Sequence, residues 1–294
     1  MITEQARAKI NLTLDILGLR DDSFHEVEMI LQSIALADQL SLERDDSRDI
    51  RLEIVSSNVE SGELLPLDDK NLAVKAARIF FDEFDLDGGL SIRLTKNIPI
   101  AAGLAGGSAD AAAVIRGINR LFDLRLPLER LCEIGAKIGS DVPFCIIGGT
   151  CLATGRGERL TQLPDLPSIP IVLIKPRGAV PTAWAYKNYD ADPSSDHPDT
   201  RALVDAIKIG DVEAVGELMF NVLERISVKL HPSIVEYKSK LLEGGATSAV
   251  MSGSGPTIFG FTRSIEDAKK IAASIGDSDS QIFITETAGK NHVE

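Results

Sequence analysis

Cysteine is scarce in this chain: Cys132, Cys145 and Cys151 are the three in 294 residues. The number is odd and the spacing is not that of paired metal ligands, so reduced thiols in a cytosolic protein are expected. Histidine is as sparse, with four, and His25-Glu26 has no second histidine four residues on, which excludes an HExxH zinc site. Positive charge is in deficit, 31 Lys and Arg against 44 Asp and Glu, for a net charge of −13 and a pI near 4.8. Such a polyanion repels nucleic acid, and a small anionic ligand would need a site that concentrates local positive potential. No apolar run approaches the ~20 residues that span a bilayer, so no membrane partner is expected. The opening MITEQARAKINLTL is too polar and too short before the first strand to read as a signal or transit peptide. Internal repeats and low-complexity tails are missing as well.

What is present suits two domains with a substantial core, 44% of residues being hydrophobic and 26% charged. Ile10, Leu12, Leu14 and Ile16 alternate with Lys9, Asn11, Thr13 and Asp15, a strand with one polar face. Further strands are expected over His25–Leu31, Ile50–Val55 and Leu90–Leu94, and helices over Asp69–Asp85 and Pro127–Ile138. An apolar stretch opens at Asp141 and closes at Gly148-Gly149. Glycines and then Pro164, Pro167 and Pro170 put a boundary near Gly155–Pro170, drawn as domains of residues 1–156 and 157–294. Beyond it come a strand at Ile171–Ile174 and a loop over Lys175–Asp199. Helices are expected at Thr200–Lys208, Asp211–Arg225, Pro232–Glu243 and Ile265–Ile275, with strands at Ser248–Met251, Thr257–Phe261 and Gln281–Thr287. Strands interleaved with helices make the class α+β.

The stretch that organises the chain runs from Lys96 to Leu121. After the strand come Pro99, then Gly103, Gly106 and Gly107, then Ser108 at or near a helix N-cap, then Ala111, Ile115, Ile118 and Phe122 on one helix face. Glycines let backbone approach a ligand, and a helix N-terminus offers unpaired N–H groups and partial positive charge, which suits phosphate. No Walker Gly-Lys-Ser/Thr follows, and Ala105 breaks the dinucleotide pattern G-x-G-x-x-G. For three glycines alone, a tight loop packing a helix onto a sheet explains the stretch equally well. Likewise a lone Lys9 is ordinarily a solvated charge, though it shares its face with Asn11 and Thr13. The second glycine turn, Met251-Ser252-Gly253-Ser254-Gly255-Pro256-Thr257, reads in isolation as a plain strand connection.

Taken whole, P-x-x-x-G-L-A-G-G-S-A-D-A from Pro99 resembles the central motif of the GHMP kinases, small-molecule kinases related to galactokinase, homoserine kinase and mevalonate kinase. Ala8-Lys9-Ile10-Asn11-Leu12 is similar to the family's first motif and the turn at Met251–Thr257 to its third. The resemblance implies a ribosomal S5 domain 2-like ATP-binding domain with a left-handed βαβ element, a ferredoxin-like C-terminal domain, and an active site between them. It implies ATP bound by Pro99, Ile100, Ala101, Ala102, Gly103, Leu104, Ala105, Gly106, Gly107, Ser108 and Ala109, with Mg²⁺ bridging the phosphates and Ser108 nearby. It implies Asp141 as base or orienting group, with Lys9 holding it ionised and neutralising the transferred group. The opening segment and GSDVPFCIIGGTCLATGRGERL resemble the branch of the family acting on 4-diphosphocytidyl-2-C-methyl-D-erythritol. That implies a substrate site of Asn11, Phe24, His25, Asp141, Thr182 and Tyr186, with rings 24 and 186 sandwiching cytosine, in a monomer or homodimer. Phe24 stands where Tyr is common, which removes a phenol. Asn221-Val222-Leu223-Glu224 matches an Asn-x-x-Glu element. Rival readings are a kinase for homoserine, mevalonate or a sugar, argued against by His25 and Tyr186, and a silent GHMP-fold regulator, argued against by Lys9, Asp141 and Ser108.

Overall fold

The computed structural model describes residues 1–57, 65–192, 196–276 and 279–291. Two long strands, β1 (Ile2–Leu19) and β2 (His25–Asp45), pair antiparallel as the spine of the first sheet. They are followed by β3 (Ile50–Ser57), α1 (Leu72–Phe84) and β4 (Gly89–Lys96); β3 and β4 pair in parallel across α1, and β4 lies against β2. Helix α1 starts where the Asn71 side chain accepts from the Ala73 N–H and stops at Asp85 in the left-handed region, as cap chemistry dictates. Then come α2 (Gly106–Leu121), α3 (Leu128–Ile138) and α4 (Val142–Ile147). The alanine-rich face of α2 lets it lie close to the sheet, and Ala111, Ile115 and Ile118 are fully buried. The apolar stretch after Asp141 is thus a short helix, a choice that periodicity alone does not settle in a run of that length.

Strand β5 (Thr150–Thr154) adds to β2, and β6 (Arg159–Gln162) pairs with β5. The first sheet therefore continues past the expected break after residue 156, because this hairpin closes on its own turn before the chain leaves. The second half opens with β7 (Pro170–Pro176), then α5 (Thr182–Ala191), α6 (Thr200–Ile209) and α7 (Val212–Glu217). Next are β8 (Phe220–Asn221), α8 (Glu224–Leu230), α9 (Ser233–Glu243), β9 (Ser248–Met251), β10 (Ile258–Phe261), α10 (Ile265–Ile275) and β11 (Ser280–Glu286). The order β11-β7-β10-β9, all antiparallel with α9 and α10 packed on it, is the ferredoxin-like arrangement. Among the described residues no helix is long and apolar enough to cross a membrane.

Two expectations are corrected. Part of the loop over Lys175–Asp199 is helix α5; its sequence TAWAYKNYDA has no apolar stripe to announce it, and residues 193–195 lie outside the described residues. The single helix over Asp211–Arg225 is broken, because Phe220 and Asn221 pair in parallel with Thr13 and Leu14 of β1. A tertiary ladder overrides local propensity there, and it stitches the second half into the first sheet.

Candidate active site

A cavity of about 1110 Å³ lies between β1, the loop before α2, the start of α5 and the turn after β9. Lys9 and Asn11 reach it from β1. The β1–β2 register shifts between Arg7 and Lys9 and again between Asn11 and Thr13, so irregularities frame the two residues. Bulges of this kind re-aim side chains beside active sites. The alternate face expected to be polar is buried too, with Lys9 5% and Asn11 0% exposed, because it meets the second half rather than solvent. The Lys9 ammonium donates to Asn11 Oδ1 at 2.5 Å, and the Asn11 amide meets Met29 Sδ at 3.3 Å.

The two glycine turns interlock against this strand. Lys9 N–H donates to Leu104 O at 3.1 Å, Ser252 Oγ donates to Gly103 O at 3.0 Å, and Asn11 N–H donates to Ser252 Oγ at 3.3 Å. Gly103 has φ +77°, and a Cβ there would sit 2.3 Å from Ser252 O. Only glycine allows that approach. The second turn is held from behind by the Asn-x-x-Glu element. Asn221 Nδ2 donates to Met251 O and Gly253 O, both at 2.8 Å, while its Oδ1 accepts from Leu223 N–H. Glu224 accepts from Met251 N–H at 3.0 Å and from Lys238 at 2.5 Å. All three glycine and strand motifs therefore meet at one place.

Helix α2 aims its N-terminus at the cavity, with Gly106, Gly107 and Ser108 as its first turn. The cap is Ala105 at φ 56°, so Ser108 lies inside the helix rather than at the N-cap. Of the residues expected around ATP, Leu104 and Ala109 do not line the cavity. Both side chains are 1% exposed and point into the core, as alternate sides of a turn must. Asp141 stands at the start of α4, yet its side chain caps nothing and makes no hydrogen bond or ion pair among the described residues. A capping carboxylate would be the structural use for that position; this one faces the cavity unengaged. Lys9 and Asp141, expected to act together, line the same cavity without an ion pair between them among the described residues, and the Lys9 ammonium donates to Asn11 on its own strand face.

At the other end lie Phe24, His25, Thr182 and Tyr186, the last two on α5. Thr182 Oγ1 is 3.2 Å from Ser254 Oγ, which links α5 to the second glycine turn. His25 Nε2 is 2.8 Å from Asp190 Oδ1, and its ring lies 4.9 Å from that of Tyr186 at 42°. Burial first, then the Asp141 carboxylate, pushes the Tyr186 phenol well above its usual range, so it stays a neutral donor. Phe24 is half exposed, and the Arg156 guanidinium covers one face of it at 4.8 Å. Each of the two rings expected to sandwich a base thus already has one neighbour.

Sequence reasoning missed a buried charge cluster under the loop. Lys96 donates to Asp38, and to Asp110 Oδ2 at 2.8 Å; Asp38 Oδ1 also accepts from the N–H groups of Asn97 and Ile98 at 2.5 and 2.8 Å. Asp110 Oδ1 is buried without a hydrogen-bond partner among the described residues. Burial raises the Asp110 carboxyl well above the ordinary range; Lys96 pulls the other way, and Asp38 adds to the rise. For Lys96, burial pulls downward and the two carboxyls outweigh it, so the net shift is up. A neutral Asp110 leaves one cation for one anion. The signal was available: an aspartate among Ala109, Ala111, Ala112 and Ala113 on a buried helix must find a partner.

Comparison with known proteins follows the same lines. The model described as GHMP kinases N terminal domain matches residues 71–149, and that described as GHMP kinases C terminal matches residues 203–279. The chain is 43% identical over 290 residues to the 4-diphosphocytidyl-2-C-methyl-D-erythritol kinase of Geobacillus sp. (strain WCH70), covering 98% of this chain and 97% of that one. A crystal structure of 4-(cytidine 5'-diphospho)-2C-methyl-D-erythritol kinase matches with a TM-score of 0.82 at 29% identity, over 98% of this chain and 100% of that one. Homoserine kinase from Cytophaga hutchinsonii shares the fold, with a TM-score of 0.74 at 20% identity over 98% and 95% of the two chains.

Proposed function

The chain belongs to the GHMP kinases, and from that premise we infer that it transfers the γ-phosphoryl group of ATP to the 2-hydroxyl of 4-diphosphocytidyl-2-C-methyl-D-erythritol, a step of non-mevalonate isoprenoid precursor synthesis. One observation carries the site assignment: an unengaged carboxylate, Asp141, shares a cavity with Lys9, between a glycine-loop helix N-terminus and an aromatic end. Phosphoryl transfer is mostly positioning and charge stabilisation, and each part has a candidate. Backbone N–H groups of Gly106 to Ser108 receive phosphate oxygens. Asp141 accepts the proton of the acceptor hydroxyl as its oxygen bonds to the γ-phosphorus and the bond to ADP breaks. Lys9, steered by Asn11, neutralises charge on the transferred group.

Mg²⁺ fits the donor set. Ser108 brings a hydroxyl to the cavity wall, and Mg²⁺ takes hard oxygen ligands and keeps the phosphate oxygens among them. Ser108 would hold it together with the phosphates, leaving Asp141 free for the proton, and bound there it would screen the phosphate charge. The test is ADP release from Mg-ATP with a panel of acceptors. The cytidine-linked polyol should be turned over and homoserine, mevalonate and free sugars should not; efficient turnover of one of those alone would overturn the assignment.

A further inference from the structure

The cavity is lined by five cations: Lys9, Lys70, Lys96, Arg156 and Lys187. Lys96 is neutralised by Asp38 and also donates to Asp110, and Lys9, held by Asn11, serves the reacting end. The aromatic end is different. Arg156 sits on the turn between β5 and β6, and that turn is built rather than loose. Gly155 N–H donates to Glu26 Oε1 at 3.1 Å, Val27 N–H donates to Gly155 O at 2.9 Å, and Arg156 N–H donates to Glu158 Oε2 at 2.6 Å. These bonds fix the turn against β2, one residue from His25. The guanidinium lies over the Phe24 ring at 4.8 Å. It makes no hydrogen bond among the described residues, and its ion-pair neighbour, Glu158, stands at 4.0 Å, the outer limit of an ion pair.

An acceptor with its base at the aromatic end and its hydroxyl at Asp141 must lay the diphosphate that joins them across the space between. The protein carries −13 overall, so a dianionic bridge needs a local cation to be held there. A guanidinium offers five donors in a rigid fork that matches phosphate oxygens, and stacking on a ring pre-orders it for that contact. We propose that Arg156, held over the Phe24 ring, binds the diphosphate of the acceptor and so selects a nucleoside diphosphate conjugate over an uncharged nucleoside. The assignment rests on the acceptor reading given above.

The experiment measures cytidine and CDP binding by calorimetry, with the ATP site filled by a non-hydrolysable ATP analogue. Wild type, Arg156→Gln and Arg156→Lys are compared. Arg156→Gln should weaken CDP about 10- to 100-fold, the range of a lost charge-assisted bond, and leave cytidine within about twofold. Arg156→Lys should fall between, and the salt dependence of CDP binding should flatten in Arg156→Gln. Equal losses for cytidine and CDP would reduce Arg156 to packing on Phe24 and overturn the proposal, as would undiminished CDP binding by Arg156→Gln. A wild type that binds neither ligand would overturn the acceptor reading along with it. Unchanged affinity for the ATP analogue in each variant serves as the check on folding.

Discussion

At the scale of single residues, Asp141 and Lys9 are the proposed catalytic pair; they line one cavity and form no ion pair with each other among the described residues. Asp141→Asn keeps shape but removes the proton acceptor, so kcat should fall by ~10²–10⁴ with ATP affinity nearly unchanged. Lys9→Ala should lower kcat too, and the double variant should lose less than the product of the two, because both act on one group. Independent losses in that cycle would take the pair out of the mechanism. Asp110 makes a separate prediction. Its carboxyl is raised in the folded state above the ordinary unfolded value of ~3.9. Its stabilising contribution is therefore complete below that unfolded value and is lost as pH rises through the folded one. Asp110→Asn has no proton to lose, so its Tm relative to wild type should climb as pH is raised above about 4. Parallel Tm curves for the two proteins would mean that Asp110 is not held neutral.

Among elements, the start of α2 is where fold and ligand compete for the same backbone. An added Cβ at Gly107 would meet Leu72 Cδ1 at 3.6 Å, an ordinary contact, whereas one at Gly103 would strike Ser252 O. Gly107→Val should therefore melt cooperatively like wild type yet bind ATP at least about tenfold more weakly, a difference of ~1.4 kcal/mol. Undiminished affinity by calorimetry would make the loop a packing device only. Much of this was legible beforehand: the strand alternation at Lys9–Ile16, the loop and helix after Pro99, and the final strand–turn–strand all reappear. Two kinds of feature were not. Helix α5 lacks a hydrophobic stripe, so no periodicity marks it, and the Asp38–Lys96–Asp110 cluster joins residues far apart in sequence. Likewise nothing local says that Phe220-Asn221 would leave a helix to pair with β1, or that Arg156 would lie over Phe24.

For the whole molecule, that two-residue strand matters more than its length suggests. The first sheet runs β3-β4-β2-β1-β8, so β8, contributed by the second half, pairs with the outer edge of β1 at Thr13 and Leu14. A gene cut after Gln162 would express an N-terminal piece whose longest edge offers open backbone to any passing chain. That piece should self-associate or precipitate when made alone, and co-expression with the piece from Leu163 onward should return it to solution as a non-covalent heterodimer with restored turnover. Sedimentation and an activity assay of the co-purified pieces decide the matter. A stable, monodisperse piece ending at Gln162 would mean that the two halves are independent modules merely tethered together. Complementation would instead make a two-residue strand the seam by which a split kinase could be reassembled on demand.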